Sequence, residues 1–140
     1  MIRIMTEQDL EDVYGLIREL EGEGPDRAVF ADIFKDILED PRHICFVSEV
    51  GGHVIGVIHL RWEAQLHHGG RVGEILELCV AGAYRSEGVG RALFEIGREW
   101  AKDNGCALLE VTCNLSREGA HAFYAAQGMG KTHYKFSMSL

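Results

Sequence analysis

The stretch Arg85-Ser86-Glu87-Gly88-Val89-Gly90-Arg91-Ala92 decides the fold, because it links a strand to a helix through a glycine-containing loop. The apolar run Ile75-Leu76-Glu77-Leu78-Cys79-Val80 precedes it. Gly88 and Gly90 lack Cβ atoms, so their backbone N–H groups can approach an anion closely. The N-terminus of the following helix adds unpaired N–H donors and a positive dipole end, and Arg85 and Arg91 add full charges. We therefore predict a diphosphate-binding loop.

Two common phosphate-binding motifs do not match this loop. A Walker loop requires Gly-Lys-Ser/Thr after the glycines, which is missing here. A dinucleotide fingerprint requires a third glycine, and Leu93 stands at that position. The alternative without a ligand is a glycine-containing turn that carries two surface arginines.

Composition predicts one globular domain over residues 1–140. The chain is 46% hydrophobic and 26% charged, and its net charge is −8, which argues against a nucleic-acid partner. We find neither a signal peptide nor an apolar run of membrane-spanning length, so we expect a cytoplasmic protein with no membrane partner. The cysteines form no Cys-x-x-Cys pair and are predicted to be free thiols; they are Cys45, Cys79, Cys106 and Cys113.

Hydrophobic periodicity predicts the order β-α-α-β-β-β-α-β-α-β, an α/β (α+β) fold with a mixed sheet flanked by helices. The predicted elements are a strand 2–5, a helix from the Thr6 cap through Leu20, a helix that stops before Pro41, strands 44–50, 54–62 and about 72–80, a helix 88–102, a strand 106–113, a helix 116–127 ended by Gly128, and a strand 133–138. Gly51-Gly52 predicts a hairpin turn. The buried stripe of the helix 88–102 is predicted to be Val89, Ala92, Leu93, Ile96 and Trp100.

Two motifs and this element order resemble the GNAT N-acetyltransferases over nearly the whole chain. The first motif is Arg85-x-x-Gly88-x-Gly90 after a strand, and the second is Ala120-His121-x-Phe123-Tyr124-x-x-x-Gly128. The resemblance implies the acyl-CoA N-acyltransferase fold with splayed central strands, and acetyl-CoA as co-substrate. The chain departs from the usual family pattern at Met129, where phenylalanine is common, and at Glu87, which adds a negative charge beside the phosphates.

The resemblance also implies roles for individual residues. Tyr124 would protonate the leaving thiolate, and the backbone of Leu78, Cys79 and Val80 would hold the thioester and the pantetheine arm. Asn114 would contact the coenzyme arm, although it is also suited to a turn or a helix cap. The pyrophosphate would lie on Arg85, Ser86, Glu87, Gly88, Val89, Gly90 and Arg91.

Two carboxylates on the strand before the loop are candidates for the general base. Glu74 and Glu77 lie among apolar residues, where a charge is costly without partners. Because they are three positions apart, they face opposite sides of a regular strand, and only a bulge would bring them together. In relatives with Gly-Glu-Ile-x-Glu-Leu-x-Val, which is the pattern of residues 73–80 here, the first glutamate is the base. We therefore assign Glu74 as base and Glu77 as reserve or substrate contact.

The acceptor side is indicated by fewer residues. Leu66-His67-His68, Gly73-Glu74-Ile75, Ala120-His121 and the segment 132–136 resemble the aminoalkylphosphonate N-acetyltransferases in particular. This implies a small aminophosphonate acceptor and leaves a divalent metal open, although no metal-ligand set is evident among the seven histidines. The candidate substrate contacts are Arg61, His67, His68 and Glu77, and Arg71 is a further cation nearby.

The leading hypothesis is therefore acetyl transfer from acetyl-CoA to the primary amine of a small molecule, by direct attack in a ternary complex. An aminoglycoside or polyamine acceptor, favoured by the acidic charge, and a protein acceptor are the alternatives within the class. A non-catalytic acyl-CoA sensor is the alternative from another class. An exposed strand near the C-terminus would allow a homodimer.

Overall fold

A computed structural model describes all residues, Met1–Leu140. The chain divides into two compact units, Met1–Glu110 and Val111–Leu140. The architecture is mixed α/β, as predicted, with a five-stranded sheet in the order β1-β2-β3-β4-β5. The elements are β1 (Ile2–Ile4), α1 (Leu10–Glu21), α2 (Arg27–Glu39), β2 (His43–Val50), β3 (His53–Gln65), β4 (Gly70–Val80), α3 (Val89–Asp103), β5 (Leu108–Val111) and α4 (Glu118–Ala126), with short 3-10 helices at Glu7–Asp9 and Gly82–Tyr84. None of the helices is both long and apolar enough to span a bilayer.

Local signals place the first two helices where the sequence predicts them. The Thr6 N–H donates to Asp9 Oδ2 at 2.8 Å, which satisfies a donor ahead of α1 as a capping carboxylate does. Asp26 accepts from the N–H groups of Ala28 and Val29 and so caps α2. Both helices pack on one face of the sheet, around a core that contains Val13, Leu16, Phe34, Cys45, Val47, Val57 and Cys79.

The opposite face of the sheet carries α3, which approaches it closely through a glycine. A Cβ added to Gly97 would lie 3.0 Å from Ile58 Cδ1 and 3.1 Å from Leu60 Cδ1. The predicted stripe is correct at Leu93 but wrong at Ala92, which is exposed. The buried residues of α3 are Leu93, Phe94, Gly97 and Ala101. The small size of Gly97 lets the helix backbone lie against the Ile58 and Leu60 side chains of the sheet.

The register of β3 against β4 contains the bulge on which the placement of the two glutamates depends. His59 pairs with Glu77 and Leu60 pairs with Ile75, so Leu76 is an extra residue on β4. An extra residue reverses the alternation of side chains beyond it. Glu74 and Glu77 therefore lie on the same face of the sheet, together with their partners Arg61 and His59.

The second unit contains α4 and an irregular tail. Gly128, at φ 92°, ends α4 as predicted, and the Met129 N–H donates to the Tyr124 carbonyl at 3.1 Å, which is a Schellman-type closure. The predicted strand 133–138 is wrong, since residues 129–140 form no regular structure. Tyr134, Phe136 and Met138 are all more than 80% exposed. A period-two pattern sets which side a strand would bury, but a strand also requires an edge to pair with.

Candidate functional site

One face of the sheet changes from apolar to polar along its strands. The register aligns Val47, Val57 and Cys79 in the core, then Cys45, His59 and Glu77, and then His43, Arg61 and Glu74 in successive rows. Residues paired across antiparallel strands share a face and lie within contact distance. Two carboxylates, a guanidinium and two imidazoles are thus gathered where the apolar core ends. We name this group the polar row: His43, His59, Arg61, Glu74 and Glu77.

Arg61 and Glu74 form an ion pair in the polar row. Arg61 Nη2 donates to Glu74 Oε2 at 3.2 Å, and the two side chains are 38% and 30% exposed. The Nε–H of Arg61 is buried and has no acceptor. A buried donor without a partner is costly, so the guanidinium gains from any anion that takes up its remaining donors.

His59 is the most buried titratable side chain of the polar row, at 8% exposure. Its Nε2 lies 2.9 Å from Nδ1 of His43, and the two rings stack. Burial, with smaller contributions from His43 and Arg61, lowers the pKa of His59 to about 4. Burial also lowers the pKa of His43. Both imidazoles are therefore neutral near pH 7.

Cys45 is a buried thiol whose pKa is affected by the charge of Glu77. Burial raises the pKa of the Cys45 thiol to about 12, and the negative charge of Glu77 adds to the effect. All four cysteines are free, as predicted. Cys45 is therefore a neutral thiol beside His59 and supplies no nucleophile.

The loop before α3 has the predicted strand–loop–helix geometry. Gly88 takes a left-handed conformation, φ 85° and ψ 4°, and is the N-cap of α3. The Ala92 N–H donates to the Gly88 carbonyl at 3.0 Å, so the N–H groups of Val89, Gly90 and Arg91 precede the first helical hydrogen bond. Such N–H groups at a helix N-terminus can bind phosphate.

The charged residues of this loop are used unequally. Arg85 donates to the Val80 carbonyl at 3.2 Å and lies 3.6 Å from Glu19, so its guanidinium already has partners. Arg91 is exposed on the first turn of α3. Ser86 takes a left-handed φ of 64°, which is strained for a residue with a side chain and gives the loop its tight curvature. Glu87 is exposed.

The second half of β4 extends past its outer neighbour. The Ala107 N–H donates to the Arg71 carbonyl at 3.0 Å, which places the start of β5 beside the start of β4. Since β5 has only four residues against eleven in β4, it is too short to run beside the segment Leu78–Val80. On the other side this segment pairs with β3. This is the arrangement that the predicted splayed strands require.

Asn114 and Tyr124 belong to the second unit. The Oδ1 of Asn114 accepts from the N–H and the hydroxyl of Ser116, at 2.9 and 2.8 Å, so its carbonyl oxygen holds a turn. His121 Nε2 lies 2.9 Å from the Asn114 carbonyl oxygen and must be the donor there. Tyr124 is half-buried on α4 and packs edge-on against Phe123, with 5.2 Å between ring centroids.

The structure does not bring His67 and His68 to the other candidate substrate contacts. The two histidines lie in the turn between β3 and β4. The last strand pair before this turn is Gln65–Gly70, which is four positions along the strands from the pair Arg61–Glu74. Four positions correspond to about 13 Å at the usual rise per residue. His68 instead lies 4.0 Å from Glu110. Arg71 is committed elsewhere, since it stacks on Trp62 at 3.9 Å and donates to the Asn104 carbonyl.

His43 and His59, which the sequence analysis did not single out, are the histidines that the register brings to Arg61. The signal for His59 in the sequence was its period-two spacing from Arg61 within an otherwise apolar run, residues 54–62, which marks polar groups on one face of a strand. No group of three or more His, Cys, Asp or Glu side chains is arranged to hold a metal ion.

Comparison with known proteins finds similar sequences over most of the chain. A sequence profile of the Acetyltransferase (GNAT) family matches residues 9–129. The aminoalkylphosphonate N-acetyltransferase of Salmonella typhimurium strain LT2 is 34% identical over 139 residues, which is 99% of this chain and 90% of that protein.

Two solved structures share the fold across the chain. A transcriptional regulator from Bacillus halodurans C-125 superposes with a TM-score of 0.92 at 25% identity, covering 100% of this chain and 99% of that one. An aminoglycoside N-acetyltransferase in complex with CoA superposes with a TM-score of 0.89 at 20% identity, covering 100% of this chain and 93% of that one.

Proposed function

Because this chain belongs to the GNAT acetyltransferase family, and is thus an acetyl-CoA-dependent N-acetyltransferase, we propose that its acceptor is the primary amine of an aminoalkylphosphonate. The observation that carries the proposal is the ion pair Arg61–Glu74 on the polar row. It offers a cation for the phosphonate next to a carboxylate for the amine. The 34% identical relative of that name supports the same acceptor.

The reaction is a direct transfer in a ternary complex. The amine loses a proton to Glu74, directly or through water, and its nitrogen attacks the thioester carbonyl carbon. The oxyanion that forms is held by backbone donors of Leu78–Val80, the second half of β4. The carbon–sulfur bond then breaks, Tyr124 gives its proton to the leaving thiolate, and the second proton that the nitrogen loses on becoming an amide restores the Tyr124 hydroxyl through water. Glu77 contacts the acceptor from the same face as Glu74.

The loop before α3 would hold the pyrophosphate of acetyl-CoA. Its N–H groups at Val89, Gly90 and Arg91 are the donors, and Arg91 adds a charge. Arg85 supports the loop through its bonds to Val80 and Glu19 and neutralises part of the phosphate charge. Ser86 and Glu87 shape the loop, and the amide of Asn114 contacts the coenzyme arm.

A polycationic acceptor, such as an aminoglycoside or a polyamine, is the second candidate, and the net charge of −8 favours it. Thiol release from acetyl-CoA distinguishes the two. We expect 2-aminoethylphosphonate to give a higher kcat/KM than spermidine, an aminoglycoside or a lysine peptide. A faster reaction with the polycations would refute the phosphonate acceptor but retain the acetyltransferase. CoA binding without thiol release on any amine would indicate a sensor.

The same assay addresses the metal. A rate that is unchanged by a chelator assigns the phosphonate to Arg61 alone, whereas a loss of rate that Mg²⁺ or Zn²⁺ restores adds a metal to the acceptor site. Several expectations stay predictions from the sequence. They are the single domain over residues 1–140, the homodimer, the cytoplasmic location and the lack of nucleic-acid or membrane partners.

A further inference from the structure

We propose that His59 and His43 form a relay that carries the proton of the acceptor amine from the carboxylates of the polar row to water beside Asp40 at the surface. This inference rests on the proposed function, since it requires an amine acceptor on this face of the sheet. It assigns a role to two residues that the direct-attack scheme does not use.

The geometry places four groups in series across the sheet, with one direct hydrogen bond, between His59 and His43. Glu77 lies directly opposite His59 in the β3–β4 register, where Cβ atoms are about 4.5–5.5 Å apart. His59 Nε2 is 2.9 Å from His43 Nδ1. His43 Nε2 is 3.8 Å from Asp40 Oδ2. Asp40 follows α2 and is 29% exposed, so the series begins at the polar row and ends in solvent.

We assign the direction of the relay from the carboxylate at its outer end, and the tautomers of both histidines follow from that assignment. His43 Nε2 faces Asp40, which can only accept when ionised, so the proton of neutral His43 belongs on Nε2. Its Nδ1 is then the acceptor, and His59 must donate from Nε2. The remaining nitrogen, His59 Nδ1, is left with a lone pair that can accept a proton from the polar row.

The proton that Glu74 takes from the amine reaches His59 through Glu77, which lies on the same face of the sheet, and each later transfer is balanced. A proton enters His59 at Nδ1 while the Nε2 proton passes to His43 Nδ1. The Nε2 proton of His43 leaves beside Asp40 to water, because Arg42, which is hydrogen-bonded to both oxygens of Asp40, lowers the pKa of that carboxyl. No net charge remains on either ring. The charged and titratable groups around His59 are His43 and Cys45 on β2, Arg61 on β3, and Glu74 and Glu77 on β4. The Arg61 charge opposes a lasting imidazolium, which favours a concerted passage.

Two substitutions separate a relay from a structural hydrogen bond. His59→Gln keeps a polar group at the ε position and His43→Asn keeps one at the δ position, so each retains the interstrand bond but cannot pass a proton. We expect kcat to fall at least about tenfold at pH 7, with KM for acetyl-CoA unchanged. The deficit should narrow as the pH rises through the pKa of the amine, because the acceptor then arrives already deprotonated. His53→Gln, an exposed histidine of the same strand at 80% exposure, is the matched control.

The outcomes are distinct from those that test the proposed function. If wild type turns over the best amine of the panel and both variants match it at every pH, the relay is refuted while the acetyltransferase stands. If wild type releases no thiol with any amine, the proposed function is refuted and the relay with it. NMR of the imidazole nitrogens in wild type gives a test independent of folding defects. We expect the Nε2–H tautomer for both histidines, and an Nδ1–H tautomer for His59 would overturn the relay.

Discussion

Substitution of Gly88 by alanine should weaken acetyl-CoA binding by an amount that the structure allows us to estimate. Gly88 has a φ of 85°, and a Cβ added there would have no atom within 4 Å, so the cost of Gly88→Ala is conformational and not steric. The left-handed conformation costs a residue with a Cβ about 1–2 kcal/mol. In the free variant the exposed loop can relax to another conformation, so this cost is avoided. Binding of CoA requires the left-handed conformation again, so the cost then lowers the affinity. The Kd for CoA should therefore rise about 5- to 30-fold.

Calorimetric titration with CoA measures this effect, and Gly105→Ala is the matched control. Gly105 follows α3 at its other end, has a φ of 74°, and a Cβ added to it would likewise have no atom within 4 Å. Alanine there should lower the free energy of unfolding by a similar amount and leave the Kd for CoA unchanged. An unchanged Kd for Gly88→Ala would refute the assignment of this loop to the pyrophosphate.

Three further predictions concern catalysis and pH. Glu74→Gln should lower kcat about 100-fold or more, since general-base catalysis contributes on that scale, whereas Glu95→Gln on the outside of α3 should have no effect on thiol release. Tyr124→Phe should lower kcat at saturating acetyl-CoA about 100-fold, and Tyr14→Phe, which loses only a bond to the Pro25 carbonyl, should not; full turnover by Tyr124→Phe would remove the acid role. Because the pKa of His59 is lowered from 6.5 to about 4, the unfolded chain binds its proton first as the pH falls, so stability is complete above pH 6.5 and is lost toward pH 4. The loss should be about 3 kcal/mol, measured by urea unfolding, and a wild-type profile no steeper than that of His59→Gln would contradict it.

The local elements of the fold could be predicted because their signals are local. Gly128 ends α4 through a positive φ, and Asp9 caps the first helix through a neighbouring N–H. These interactions span only a few residues, so the identity and spacing of neighbouring residues are enough to predict them. The tail at residues 133–138 shows the limit of such patterns, since alternation alone does not provide a partner edge.

The candidate site depended on register, which local patterns do not fix. The spacing of Glu74 and Glu77 allowed either opposite faces or a bulge, and only the pairing of β4 with β3 places the extra residue at Leu76. The approach of His43 to His59 likewise depends on how β2 aligns with β3. His67 and His68 became candidates through the resemblance of Leu66-His67-His68 to aminoalkylphosphonate N-acetyltransferases, which says nothing of their distance from Arg61.

The central claim, that Arg61 and Glu74 hold an anionic amine, is tested most directly by a ratio of specificities. We would measure kcat/KM for 2-aminoethylphosphonate and for ethanolamine, which lacks the phosphonate, in wild type and in Arg61→Gln, with Arg98→Gln on α3 as control. If Arg61→Gln also changes Glu74, that change alters kcat/KM for both substrates alike and cancels in the ratio of the two values. Loss of a charge-assisted bond of about 1.5–3 kcal/mol should lower the wild-type preference for the phosphonate about 10- to 150-fold. A preference that is unchanged in Arg61→Gln would contradict the account.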